Sequence, residues 1–192
     1  MEPFSKELVL KAYQAGIFPM GSDDGLIRWY SPDPRCIIDL DNFHPPKRLL
    51  RTYRKNIFDL SFNKAFPEVL SACADRETTW ITQDFIDVYT QLYQEGYAHS
   101  VEAFQNSKLV GGLYGVSIGG AFMGESMFHT ATDASKVCLV HLVHRLKERG
   151  FILLDCQYMT KHLNTLGAVL IPRQTYLVQL QKALTIKARF DD

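Results

Sequence analysis

Hydrophobic positions along the chain alternate between helical and strand spacing, and the switches mark the elements. From Ser5 to Ala15, Leu8, Leu10, Ala12, Tyr13 and Ala15 fall along a short helix that Gly16 can close. Ile17-Phe18-Pro19-Met20 and a polar Gly/Asp turn follow. The aromatic, proline-stiffened stretch from Arg28 to Arg35 is predicted to be irregular. Short strands are predicted at 36–39 and 58–62. Between them, 45–55 reads as a helix that starts at a proline, where the missing N–H does no harm. Helices are predicted over 65–74 and 84–94, the second between Thr82 as N-cap and Gly96 as stop. Three strands follow, at 98–105, 108–116 and 121–128, joined by hairpin turns at Asn106-Ser107 and Gly119-Gly120. Asp133 caps a helix running to Arg149, with Leu139, Leu142, Val143 and Leu146 on one face and Gly150 at its end. A strand at 152–157, a short helix near 161–166, a strand at 168–171 and a helix over 175–183 complete the chain. This order predicts an α+β fold with one mixed, largely antiparallel sheet flanked by helices. No internal repeat or low-complexity segment interrupts it.

Composition narrows the function classes. A chain of 192 residues can bury a real core, and 46% hydrophobic with 22% charged residues is ordinary for a globular protein. Basic and acidic side chains balance at 21 each, so any polyanion partner must be read from local clustering. Cys36, Cys73, Cys138 and Cys156 have neither zinc-ligand nor disulfide-framework spacing. No apolar run is long enough to span a bilayer, and the N-terminus lacks the order of a signal peptide. A reduced, cytoplasmic enzyme or binding protein is expected, without membrane association.

Two carboxylates stand inside apolar, strand-like runs: Glu125 in Ala121–Phe128 and Asp155 in Phe151–Gln157. Burying either is costly unless it is paired, hydrogen-bonded or open to a cavity. A structural network accounts for such acids as well as a site that handles a proton or a cation does. On the helix from Pro45, Lys47, Arg51, Arg54 and Lys55 form a basic stripe. A solvated face is the default reading of it, and a nucleic-acid backbone contact is the alternative. Arg28 and Arg35, beside Trp29 and Tyr30, would extend that surface and offer rings to a base. Gly111-Gly112, Gly115 and Gly119-Gly120 suit hairpins and close approach of backbone, not a phosphate loop. His141 and His144 are three apart but lack an obvious third ligand, so no metal is expected. No nucleophile elbow is present, and covalent catalysis is disfavoured.

An ordered set of motifs adds to this reading. It comprises Ala12-Tyr13-Gln14-Ala15-Gly16-Ile17-Phe18-Pro19, Ser31-Pro32-Asp33-Pro34-Arg35, Thr79-Trp80-Ile81-Thr82, His99-Ser100-Val101-Glu102, Val110 to Val116, Gly124-Glu125-Ser126-Met127-Phe128, Ala134-Ser135-Lys136 and Asp155-Cys156-Gln157. Together they resemble the leucyl/phenylalanyl-tRNA–protein transferase family, in order from about Leu10 to Leu180. The resemblance implies transfer of Leu or Phe, with Met left open, from charged tRNA to proteins that begin with Arg or Lys, marking them for N-degron degradation. It implies an acetyltransferase-like (GNAT-like) main domain over 35–192, a small N-terminal subdomain over 1–34, and no cofactor. The chain accordingly has no Arg/Gln-x-x-Gly-x-Gly/Ala loop for a coenzyme A pyrophosphate.

The resemblance also implies roles for individual residues. Asp155 would engage the incoming α-amine, Gln157 would orient it, and Glu125 would hold the acceptor peptide or its cationic side chain. Leu113, Phe122, Leu139, Leu142 and Leu154 would form the pocket for the transferred side chain. Trp80 would lie near the tRNA 3′ end, and Lys47, Arg51, Arg54 and Lys55 would contact its backbone. Three departures stand out. The chain begins late relative to longer members, Met20 stands where a Trp is expected, and Leu113 and Leu142 stand where some members have bulkier Met and Phe. The rival expectations are a GNAT-type transferase of a small acyl group and a non-catalytic tRNA- or peptide-binding module. A monomer is expected.

Overall fold

A computed structural model of the chain describes residues 3–22, 24–75 and 79–191. In order, its elements are α1 (Lys6–Gln14), β1 (Phe18–Gly21), β2 (Ile27–Tyr30), β3 (Arg35–Ile38), α2 (Lys47–Arg54), β4 (Asp59–Phe62), α3 (Phe66–Ala74), α4 (Gln83–Gln94), β5 (Ala98–Gln105), β6 (Lys108–Ile118), β7 (Ala121–His129), α5 (Ala134–Glu148), β8 (Leu153–Gln157), α6 (Lys161–Thr165), β9 (Val169–Ile171) and α7 (Arg173–Leu184). The expected helices and strands are all present, with ends displaced by a few residues.

Seven strands form one sheet in the order β4-β5-β6-β7-β8-β3-β9. Neighbours run antiparallel except β7 and β8, which are parallel. The β5–β6 hairpin turns at Asn106 and Ser107, both at positive φ (51° and 62°), the conformation a two-residue hairpin turn requires. Alternation along the strands sends side chains to two cores, one on each face. One face carries Tyr114, Val116, Ala121 and Met123, in a single core cluster with Val9, Tyr13, Phe66, Val69, Phe85, Tyr89, Tyr176 and Leu180 from α1, α3, α4 and α7. The other carries Leu113, Phe122 and Leu154, packed with Leu49 of α2 and Val137, Leu139, Leu142 and Leu146 of α5. Gly111 permits this second packing. A Cβ there would lie 2.6 Å from that of Ala134, so the start of α5 rests directly on β6.

Three observations depart from the sequence reading. Residues 27–30, expected to be irregular, form β2 and pair with β1 as Phe18↔Tyr30 to Gly21↔Ile27. Pro32 and Pro34 fall beyond Tyr30, so they leave the ladder donors of the strand intact. Asp133 occupies the position before α5, but at φ 67° its side chain caps nothing and instead pairs with Arg48 at 2.8 Å and Lys136 at 3.3 Å. Arg35, expected to extend a basic surface, is fully buried at the start of β3. Among the described residues, no helix is long and apolar enough to cross a membrane.

Candidate active site

The parallel pair makes the site. Strands β7 and β8 are in register only at Ala121↔Leu153, Phe122↔Leu154 and Met123↔Asp155, and beyond those pairs they part. The gap opens into a cavity of about 980 Å³, walled by β6, by β7 from Gly124 onward, by β8 and by the first half of α5. Leu113, Leu139, Leu142 and Leu154 give it an apolar wall, while Met20, Trp80 and Tyr158 stand at its edge. Such a mostly apolar recess with a few convergent polar groups is the general form of a small-molecule site.

The polar groups converge on Glu125. Its Oε1 accepts from the Tyr13 hydroxyl at 2.5 Å and from Gln157 Nε2 at 2.9 Å, and its Oε2 accepts from Tyr89 at 3.1 Å. The two phenols also touch each other at 2.6 Å. Gln157 lies at φ 63°, a left-handed conformation uncommon for a side-chain-bearing residue, and this turn brings its amide to Glu125. Burial is the largest influence on the Glu125 carboxyl and pushes it up to about 7. Hydrogen bonds from Tyr13 and Tyr89 act against that rise, the Asp155 charge adds to it, and the Arg35 charge opposes it. Desolvation holds both phenols well above their usual value, so they are neutral donors.

Asp155 lies beneath the cavity, not in its wall. Its carboxylate is fully buried and receives Arg35 Nε at 2.9 Å, Arg35 Nη2 at 2.6 Å, the Tyr176 hydroxyl at 2.9 Å and the Gln157 backbone N–H at 2.9 Å. The guanidinium is held in turn by the Gly16 carbonyl and lies over the rings of Phe18 (4.7 Å) and Tyr176 (4.3 Å). The ion pair is therefore desolvated and hydrogen-bonded on every side, which is the condition under which a buried pair is tolerated. It supports the backbone turn that aims Gln157.

The structure thus brings together Glu125, Gln157, Leu113, Leu139, Leu142, Leu154 and Trp80 around one cavity. Phe122 is not among the lining residues: its ring is fully buried and packs 5.5 Å from Phe190. Trp80 rests edge-on against Phe85 at 5.2 Å. Lys47, Arg51, Arg54 and Lys55 are all exposed on α2, outside the cavity, and none has a carboxylate partner among the described residues. Their helix is tied to the cavity through Arg48 and Asp133, two residues before the lining Ser135. His141 accepts or donates to the Tyr53 hydroxyl at 2.9 Å and stacks on Phe62, and no group of three or more His, Cys, Asp or Glu side chains suited to a metal occurs among the described residues.

Sequence reasoning did not single out Tyr13, Tyr89 or Tyr176, and it misplaced Arg35. Each tyrosine falls at an apolar helical position, where a core tyrosine and a hydrogen-bonding one are indistinguishable. The signal for Arg35 was available in principle. An arginine opening the apolar run Cys36-Ile37-Ile38 and an aspartate inside another apolar run are complementary charges that each need a partner.

A mixed sheet whose one parallel pair splays around a cavity defines a fold of the GCN5-related N-acetyltransferase class. In agreement, the structure is similar to the GCN5-related glucosamine N-acetyltransferase region of a fungal multi-domain GH3 β-N-acetylglucosaminidase, with a TM-score of 0.51 and 11% identity, covering 89% of this chain and 22% of that one. At that identity the likeness is one of fold. Within this class the sequence is specific. The profile described as leucyl/phenylalanyl-tRNA protein transferase matches residues 37–181, and that of the N-terminal domain of the same family matches residues 2–33. The chain is 53% identical over 187 residues to the leucyl/phenylalanyl-tRNA–protein transferase of Herpetosiphon aurantiacus, which covers 97% of each protein. It is 50% identical over 186 residues to that of Salinibacter ruber, covering 96% of this chain and 82% of the relative. The chain belongs to the leucyl/phenylalanyl-tRNA–protein transferase family of aminoacyltransferases.

Proposed function

We propose that this protein transfers Leu or Phe from the 3′ end of charged tRNA to the α-amine of cytoplasmic proteins that begin with Arg or Lys, marking them for degradation. The observation that carries this reading is a cavity in which an apolar wall that includes Leu113, Leu139, Leu142 and Leu154 meets the paired carboxylate and amide of Glu125 and Gln157. The leucines receive the transferred side chain. A hydrophobic pocket of this kind rejects polar side chains well but separates Leu from Phe only modestly, since one methylene is worth about 1–3 kcal/mol. Trp80, Met20 and Tyr158, which line the same cavity, offer apolar faces to the terminal adenosine, and the α2 stripe of Lys47, Arg51, Arg54 and Lys55 receives the tRNA backbone.

The aminoacyl ester is already activated, so the principal task is alignment of two substrates, a proximity effect. Glu125 and Gln157 receive the acceptor's amine or cationic side chain, because they stand in the cavity wall joined to each other at 2.9 Å. Asp155 serves as the anchor under Gln157, and the N-terminal unit, drawn at residues 1–34, closes one side of the site with Tyr13 and Met20. The test is transfer of radiolabelled Leu and Phe from charged tRNA to peptides beginning with Arg, Lys, Glu or Ala. Transfer confined to Arg and Lys is expected. Transfer to Glu alone would keep the chemistry and overturn the acceptor assignment, and no transfer by folded, tRNA-binding protein would leave a binding module.

A further inference from the structure

Of the two strand carboxylates beside the cavity, Glu125 of β7 and Asp155 of β8, only Glu125 lines its wall. Asp155 is fully buried and its carboxylate is occupied by four donors, Arg35 Nε and Nη2, the Tyr176 hydroxyl and the Gln157 backbone N–H, so it presents no free oxygen to the cavity. Glu125 is partly open and lines the wall. No Lys or Arg lines that wall among the described residues, so an entering ammonium meets no competing cation there. Resting on the transferase reading above, we propose that Glu125 accepts the proton the acceptor's ammonium gives up, and that Tyr13 and Tyr89 are the positioning residues that hold its carboxylate toward the cavity.

The step balances. The acceptor enters as an ammonium and passes one proton to the Glu125 carboxylate. The freed nitrogen pair forms the C–N bond at the ester carbonyl, the bond from that carbon to the ribose oxygen breaks, and the leaving oxygen takes a second proton from the nitrogen. Amide, ribose hydroxyl and protonated Glu125 result, and Glu125 returns its proton to solvent. The groups that face the carboxylate are Tyr13 from α1, Tyr89 from α4 with Tyr114 of β6 behind it (rings 5.9 Å apart), Gln157 and Asp155 from β8, and Arg35 from β3. Donation from the phenols to both oxygens favours the anion and desolvation disfavours it. The resulting value of about 7 lies one unit or so below an α-amine at about 8, a near match for proton transfer at neutral pH.

The experiment is kcat/KM against pH for Leu transfer to an Arg-initial peptide, with rates corrected for spontaneous ester hydrolysis. In the wild type the acid limb is expected near pH 7, where Glu125 titrates. In Glu125→Gln only acceptor that is already neutral can react, so the limb moves to the amine's own value near 8. Transfer then falls about fivefold at pH 7 and recovers towards the wild-type rate at pH 9. In Tyr13→Phe and Tyr89→Phe the loss of one donor to the anion moves the wild-type limb up by about one pH unit, with the high-pH plateau kept. An equal loss at pH 7 and pH 9 in Glu125→Gln would overturn the proton-accepting role. Limbs unmoved in both tyrosine variants would overturn their positioning role. Absence of transfer by the wild type at every pH would instead remove the transferase reading on which the proposal rests.

Discussion

Removing the carboxylate of Asp155 separates an anchor from a base. Asp155→Ala leaves the Arg35 guanidinium fully buried, with the Gly16 carbonyl, the Tyr176 hydroxyl at 3.3 Å and two ring faces as its remaining company. Breaking a buried pair from one side costs about 3–5 kcal/mol, because an uncompensated charge remains inside. That is about a fifth or more of the stability of a typical domain, about 5–15 kcal/mol. For a chain of this length each kcal/mol corresponds to about 2–4 °C, so the midpoint is expected to fall by about 10 °C. Urea denaturation and thermal melting measure this, with transfer assayed in parallel at a temperature where the variant stays folded. The paired substitution Arg35→Met with Asp155→Leu removes both charges and is expected to recover most of the lost stability, as apolar replacements of buried pairs often do. If Asp155→Ala unfolds within about 0.5 kcal/mol of the wild type and still loses transfer, the anchor argument fails and the carboxylate must act on substrate.

Three further outcomes follow from the same geometry. Leu142→Phe narrows the apolar wall, and kcat/KM with Phe-tRNA is expected to fall about tenfold more than with Leu-tRNA; an unchanged ratio removes Leu142 from the specificity wall. Replacing Lys47, Arg51 and Arg54 together by Ala is expected to weaken tRNA binding and to reduce the slope of log K against log salt by about 2–3, read by filter binding, and an unaltered slope would exclude α2 as the backbone contact. Glu125 carries a stability signature as well. Its folded carboxyl is raised from 4.5 to about 7, so the native state keeps a proton that the unfolded chain releases, and the resulting penalty is absent below pH 4.5 and complete above pH 7. Relative to the wild type, Glu125→Gln should therefore gain about 2 kcal/mol between pH 5 and pH 8 in urea denaturation, a figure reduced for the group's partial exposure; a constant difference would contradict the raised value.

Most elements were legible because their signals are local. Gly16, Gly96 and Gly150 close helices at positive φ, and the Asn106-Ser107 turn declares its hairpin within two residues. The β2 strand was missed for the opposite reason, since it is created by pairing with β1, and its own residues do not announce it. The site was partly legible. Glu125 and Asp155 were recognisable as carboxylates in strand-like runs and Gln157 only through the family resemblance; Glu125, Gln157 and four of the five expected pocket residues line the cavity, and Asp155 does not. Phe122 was grouped with them by the family resemblance; it shares a core cluster with Leu113, but its ring packs against Phe190 and not into the cavity.

By itself, the sequence determined the α+β order of elements, the mixed sheet and the family, through periodicity, turn residues and an ordered set of motifs. The tertiary structure alone decided which carboxylate reaches the cavity and which is sealed beneath it. Side-chain partners at such sites come from far along the chain: Tyr13 is 112 residues from Glu125, and Arg35 is 120 residues from Asp155. Spacing within an element fixes which face a side chain takes, and only the folded packing of distant elements supplies the hydrogen bonds and charges that set whether a buried acid is an anchor or a proton acceptor.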